Sequence, residues 1–202
     1  PNYGFLMEER GIVPGEDTSN TWIVDPLDGT LNFLHGLPHF CVSVALERDG
    51  KICAGVIYEP ISDQMFWAER GRGAFLNGRR LRVSTRHDIA ESVFATGIPF
   101  KGREGHALFL RELEIVMAAS AGVRRFGAAA LDLAYLAAGR YEGFWERGLN
   151  SWDMAAGMII VREAGGFVSD FKGRDNALAT GEIVAANSEL HTSFRKLLSA
   201  AR

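Results

Sequence analysis

Asp25 and Asp28 lie three positions apart in "WIVDPLDGTLNF", residues 22–33. The apolar, β-rich run "TWIVD" (21–25) ends at Asp25, and Pro26 holds that residue in extended geometry and bars a helix there. A rigid Pro-Leu corner can then turn both carboxylates to one side of a loop, with the Leu27 carbonyl between them. Hard cations such as Mg²⁺ take oxygen ligands of this kind. Two such ions, about 3.5–4 Å apart, activate a water and steady a leaving oxygen on phosphorus. Gly29 and Thr30 follow at a helix start, where backbone N–H groups favour anions, and Thr30 adds a hydroxyl that can orient water. The competing reading is an ordinary D-P-x-D-G turn with Asp28 as helix cap. On these residues alone the turn is the stronger reading.

Four further acids stand in comparable places. Glu8-Glu9 follow "YGFLM" and read as a further ligand or, more simply, as a solvated loop pair. Asp153 sits beside Trp152 in the first turn of an apolar helix, where an acid complements the helix dipole and can equally be aimed across a cleft. Glu146 ends the strand-like "EGFWE", seven residues earlier, and can face the same opening.

The elements that must position these acids fall into two halves. Residues 1–21 read as a strand or loop end followed by a polar connection, "GIVPGEDTSN", and "GTLNFLHGLP" (29–38) as one or two helical turns. "FCVSVALERDGKICAGVIYEP" (40–60) is two strands joined by Asp49-Gly50, a strong hairpin signal because both turn positions want positive φ. "QMFWAER" (64–70) is a third strand, and Asn77-Gly78 marks a second hairpin turn. The stretch 84–91, "STRHDIAE", is the best boundary before the second half. There "SVFATGIP" (92–99), "YEGFWER" (141–147) and "EIVAAN" (182–187) read as strands. Residues 104–120 carry Leu108, Leu110, Leu113, Val116 and Met117 at helical spacing. Further helices cover 128–139, with Gly139 as its C′ residue, 152–166, stopped by Gly165-Gly166, and 188–202, capped by Ser188.

The 202 residues suffice for one or two domains with a sizeable core, and 47% hydrophobic with 23% charged residues is a soluble globular composition. A net charge of -3 gives no polybasic surface for nucleic acid, and no apolar run is long enough for a membrane span. Cys41 and Cys53 read as buried small hydrophobes rather than a disulfide or a zinc site. His35 and His39 lack cysteine partners at zinc spacing and read as surface or cleft-edge residues. Arg79-Arg80 and Arg124-Arg125 read as solvated strand-end charges, and "GRGAFLNG" lacks the setting of a dinucleotide loop. Phe66, Trp67, Phe144 and Trp145 read as core or dimer contacts.

Each acidic feature is weak singly, but their order is specific. Glu-Glu, then W-I-V-D-P-L-D-G-T-x-N-F, then G-x-A-A-L, then W-D-M-A-A-G with E-A-G-G resembles the inositol monophosphatase family of Mg²⁺-dependent, lithium-sensitive phosphatases. The resemblance runs from about residue 3 to near the C-terminus. It implies metal ligation by Glu8, Asp25, the Leu27 carbonyl, Asp28 and Asp153, with Asp25 bridging and two or three Mg²⁺ ions in all. It makes Glu8, Asp25 and Thr30 the catalytic set, with Gly29 and Thr30 holding phosphate and Thr30 placing the attacking water. Gly127, Ala128 and Ala129 would meet the alcohol part of the substrate, and Glu146, with help from Asp28 and Asp153, would accept hydrogen bonds from its hydroxyls.

The fold so implied is α+β, a layered αβαβα sandwich of the inositol monophosphatase and fructose-1,6-bisphosphatase type. Residues 1–88 would form a metal-binding meander half and 89–202 an α/β half completing the site, as one structural unit. The same resemblance implies a cytoplasmic homodimer that hydrolyses a phosphorylated polyol, inositol-1-phosphate first. The rivals are histidinol-phosphate, fructose-1,6-bisphosphate or nucleotide 3′-phosphate hydrolysis and, in another class, a non-catalytic dimeric scaffold. Two departures accompany the resemblance. The family's water-activating Asp, in a T-x-x-D-like segment, and the helices before it would lie upstream of Pro1, since only seven residues precede Glu8. Ala128 stands where many relatives carry Ser or Thr.

Overall fold

A computed structural model of the chain describes residues 2–201. Its first half is an eight-stranded sheet built from β1 (Tyr3–Met7), β2 (Gly11–Val13), β3 (Asp17–Asp28), β4 (Cys41–Arg48), β5 (Lys51–Glu59), β6 (Gln64–Glu69), β7 (Gly73–Leu76) and β8 (Arg79–Arg80), in the order β2-β1-β3-β4-β5-β6-β7-β8. The short helix α1 (Thr30–Leu34) leaves the end of β3. Both expected hairpin turns form, with φ of 50° and 72° at Asp49-Gly50 and 47° and 79° at Asn77-Gly78. The expected polar connection over 11–20 is replaced by β2 and by the start of β3. Its polarity belongs to an exposed sheet margin, where Asp17 accepts hydrogen bonds from Ser19 and Asn20, and Asn20 accepts one from Arg48.

One irregularity in this sheet decides the chemistry. β3 and β4 run antiparallel, with Asp25 opposite Ser43 and Asp28 opposite Cys41, and the register shifts between them. Side chains alternate faces along a regular strand, so residues three apart would point to opposite sides. The extra residue at Pro26-Leu27 restores parity, and both acids join Ser43 and Cys41 on the inner face. Proline suits the bulge because it has no N–H to contribute to the ladder.

The second half holds β9 (Val93–Thr96), α2 (His106–Ala119), β10 (Gly122–Arg124), α3 (Ala129–Ala137), β11 (Gly143–Arg147), α4 (Ser151–Glu163), β12 (Phe167–Ser169), α5 (Ala177–Thr180), β13 (Glu182–Ala186) and α6 (His191–Ser199). Its five strands form a mixed sheet in the order β10-β9-β11-β13-β12. The helices α3 and α4 lie between the two sheets and anchor the main core, around Ile57, Phe66, Leu131, Leu133, Phe144 and Ile160. On the far face of the second sheet α2 and α6 enclose a smaller core with Phe94, Trp145 and Phe194. The layers are thus sheet, helices, sheet, helices. Among the described residues no helix covers the outer face of the first sheet, where the expected five-layer sandwich has its first helical layer, and Val42, Val56, Tyr58 and Met65 are exposed there.

Several local expectations are corrected. α2 buries Phe109, Glu112 and Val116, whereas Leu110 and Met117 are exposed. Glu112 is drawn inward because Arg147 meets it at 2.6 Å. α6 begins at His191 rather than at Ser188, and the Asn187 side chain, not Ser188, accepts from the Leu190 N–H at 2.9 Å. The short elements β10, β12 and α5 carry no periodic signal of their own. Cys41 and Cys53 are both free thiols, and Cys53 is only partly buried.

α4 is seated with no spare volume. A Cβ at Gly55 of β5 would lie 2.7 Å from Ile159 Cγ2 and 2.9 Å from Ala156 Cα, and one at Gly157 would lie 2.5 Å from Leu133 Cβ. Gly55→Ala must therefore push α4 off the sheet. We expect a loss of about 1–3 kcal/mol in unfolding free energy, measured by urea denaturation; an unchanged midpoint would mean that α4 does not pack at this distance.

Candidate active site

The bulge in β3 and the first turn of α4 bring Asp25, Asp28 and Asp153 together, with one carboxylate oxygen from each within 4.8 Å of the others. Every member is held from its own side. The Leu27 N–H donates to Asp25 Oδ1 at 2.9 Å. Asp28 Oδ2 accepts from the Ala130 N–H, in the first turn of α3, at 2.7 Å and faces the Cys41 thiol at 3.7 Å. The Asn150 N–H donates to Asp153 Oδ2 at 2.7 Å, so the acid caps its own helix while offering its other oxygen. Thr30 Oγ1 donates to the Leu27 carbonyl at 2.9 Å, which folds that hydroxyl back over the bulge.

Gathering these acids is costly to their charge. Burial, with Glu8 and Asp153 nearby, pushes Asp25 up to about 7. Asp28, buried and facing Asp25 and Asp153, is raised well above the usual carboxylate range. Asp153 is raised by burial and by Glu8, against its Asn150 hydrogen bond. Carboxylates that repel one another in a low-dielectric recess bind either protons or cations. The donor set is all oxygen, preformed and rigidly hydrogen-bonded, and so fits Mg²⁺. Glu8 stands outside the close triad; its side chain is exposed at the end of β1, near enough to Asp25 to raise it.

The other residues singled out in the sequence surround this triad. Gly29 has φ 87° and caps α1. A Cβ there would lie 3.0 Å from the His39 carbonyl oxygen and 3.1 Å from Ala128 Cβ, so only glycine fits between those two backbones. Gly127, at φ 92°, leads into Ala128 and Ala129, which are buried and start α3. Glu146 is half-buried on β11 and is pushed up to about 8 by burial and by Asp132, Asp28 and Asp153. Gly97 lies against its carboxyl group, with no room for a Cβ.

Four residues in or beside the site were not anticipated in these roles. Asn32 is buried and its amide donates to the His39 carbonyl at 2.7 Å and to the Phe126 carbonyl at 2.9 Å, tying the loop after α1 to the loop before α3. Asp132, buried in α3, receives His39 Nε2 at 3.2 Å. His39 is therefore no loose cleft-edge residue, whereas His35 is exposed as expected. Gly97 is the fourth. The signal for Asp132 was present: it is a lone acid inside "AAALDLAYLAA", a helix apolar on every face. For His39 and Gly97 no local pattern marks the role. Arg79, Arg80, Arg124 and Arg125 are exposed.

Known proteins share both sequence and architecture with the chain. The family model described as "Inositol monophosphatase family" matches residues 1–202. An inositol-1-monophosphatase of Mesorhizobium japonicum is 58% identical over 196 residues, covering 97% of this chain and 74% of the relative. The Nus factor SuhB of Escherichia coli is 48% identical over 187 residues, covering 93% of this chain and 70% of that protein. The crystal structure of the extragenic suppressor protein suhB from Bartonella henselae superposes with a TM-score of 0.95 at 56% identity, over 98% of this chain and 76% of that one. Sequence order, two-sheet architecture and acidic triad agree: the chain belongs to the inositol monophosphatase family, whose members are Mg²⁺-dependent phosphatases.

Proposed function

We propose that the protein hydrolyses the phosphate ester of a polyol, with inositol-1-phosphate the first choice, using two or three Mg²⁺ ions. The observation that carries this reading is the convergence of Asp25, Asp28 and Asp153 beside the Gly29-Thr30 helix start. Asp25, Asp28, Asp153, the Leu27 carbonyl and Glu8 would hold the ions. Bound Mg²⁺ supplies charge neutralisation of the phosphate and a lowered pKa for water.

The remaining roles belong to the chain. The Gly29 and Thr30 N–H groups bind the phosphate oxygens at the start of α1, and the Thr30 hydroxyl orients the attacking water. The buried carboxylates of Asp25 and Asp28 border this cradle on its inner side. Gly127, Ala128 and Ala129 line the alcohol side through their backbone. Glu146 meets the hydroxyls of the alcohol, which sets a polyol monophosphate ahead of fructose-1,6-bisphosphate. No helix of the described residues is long and apolar enough to cross a membrane. A cytoplasmic homodimer is the assembly we propose; the exposed Leu31, Phe33, Leu34 and Leu37 around α1 offer it an apolar surface.

Three measurements test the site. Asp25→Asn should reduce phosphate release from inositol-1-phosphate by at least about a hundredfold with an unaltered circular dichroism spectrum; near-normal turnover would remove Asp25 from the metal centre. Glu146→Gln should change the ranking of polyol phosphates more than the rate on p-nitrophenyl phosphate, and an unchanged ranking would count against its contact with hydroxyls. The third is thermal. Acids whose pKa is raised in the folded state bind more protons folded than unfolded, so the metal-free protein should lose stability as pH rises from the usual carboxylate range through about 7, the value for Asp25. Mg²⁺ favours the ionised acids, so the gap in Tm between Mg²⁺ and EDTA samples should widen from pH 5.5 to pH 8. A gap independent of pH would mean that these carboxylates do not bind the ion.

A further inference from the structure

The pair formed by His39 and Asp132 lies outside the set of metal and substrate ligands, yet it joins the two segments that those ligands need. Asp132 is 1% exposed, and its Oδ2 has no hydrogen-bond partner. An apolar side chain would pack in that helix at lower cost, since a buried carboxylate with an idle oxygen is destabilising. What the acid secures is the imidazole of His39, whose Nε2 donates to Oδ1 at 3.2 Å. The ring is further fixed by stacking on Phe126, with centroids 5.1 Å apart, and by an edge contact with Tyr135 at 5.5 Å.

Both ends of this link reach the site. The His39 carbonyl stands over Gly29 and is gripped by Asn32 of α1. Asp132 belongs to the α3 turn whose Ala130 N–H holds Asp28, and its own N–H donates to the Ala128 carbonyl at 2.8 Å. The Asp132 carbonyl is in turn held by the Tyr141 hydroxyl. A single side-chain contact thus spans from the loop beneath the phosphate cradle to the helix that carries the alcohol-binding segment.

We propose that His39 and Asp132 form a positioning pair that sets the distance between the Gly29-Thr30 cradle and the Gly127–Ala129 segment, and so aligns the ester bond of a bulky alcohol with the metal centre. The proposal rests on the phosphomonoesterase reading above. A substrate whose alcohol is bound through Gly127–Ala129 depends on that distance, whereas a flat aryl phosphate, held mainly by its phosphate, does not.

The test is the ratio of kcat/KM on inositol-1-phosphate to kcat/KM on p-nitrophenyl phosphate in the Mg²⁺-loaded protein. His39→Phe keeps the aromatic stack and removes the donor. It is expected to lower that ratio about tenfold, through kcat on the polyol ester, because small misplacements of a reacting group cost one to two orders of magnitude. His39→Gln, which keeps an N–H donor, should recover most of the loss. Asp132→Leu makes the same test from the other side in case His39→Phe fails to fold, and should give the same fall. An unchanged ratio in the folded variants overturns the proposal, and so does a His39→Gln variant no better than His39→Phe. If the unsubstituted protein releases phosphate from p-nitrophenyl phosphate but from no polyol ester, the substrate reading fails before any variant is made, and the ratio is then taken with the ester it does prefer.

Discussion

Crowding like charges inside a protein is the constraint from which the rest of this structure follows. Asp25 and Asp28 are almost fully buried and share their recess with Asp153. Their mutual repulsion in a low-dielectric setting opposes folding unless protons or cations neutralise it. The fold tolerates them because each carboxylate is tied to a backbone N–H of a different element: the β3 bulge, the start of α3 and the start of α4. Three elements that already pack on one another are thereby registered on one small volume. The same hydrogen bonds leave each acid with lone pairs to spare, which is what a metal centre needs and what a purely structural acid lacks.

The scaffold delivers that registration through close backbone approaches. Gly55 and Gly157 let α4 sit flush against the sheet on one side and α3 on the other, so the position of Asp153 is inherited from the core rather than from a loop. Gly29 does the same at the opposite wall, where the His39 carbonyl and Ala128 close over it. Rigid elements, rather than loops, therefore carry most of the acidic donors, and this is the condition under which charge can be preorganised for a transition state.

Much of this was legible in the residues. The hairpins at Asp49-Gly50 and Asn77-Gly78 were readable because type I′ turns have their own dipeptides, and α3 and α4 because their apolar runs end in glycine. The acids at 25, 28 and 153 were readable as a set only through their order along the chain; singly, each was better explained as a turn or a cap. β10, β12 and α5 were not legible, being too short for any period to register. The buried face of α2 was misjudged because an acid, Glu112, takes an inward position that only its distant partner Arg147 makes tolerable. Long-range partners also hid the roles of His39 and Gly97. Nothing within several residues of Gly97 indicates that Glu146, on a neighbouring strand, will lie across it.

The bulge at Pro26-Leu27 has a consequence for how this chain can vary. Two acids three positions apart share a face there only because the bulge absorbs one of the two residues between them. Lengthening that segment by a single residue while the bulge is kept would send one of the acids through the sheet to its far surface, whatever amino acids were present. Surface loops away from the site can drift in length with less effect, so tolerance to insertion should fall sharply at this bulge, and divergence in what the protein accepts must be sought on the opposite wall, along the approach to α3.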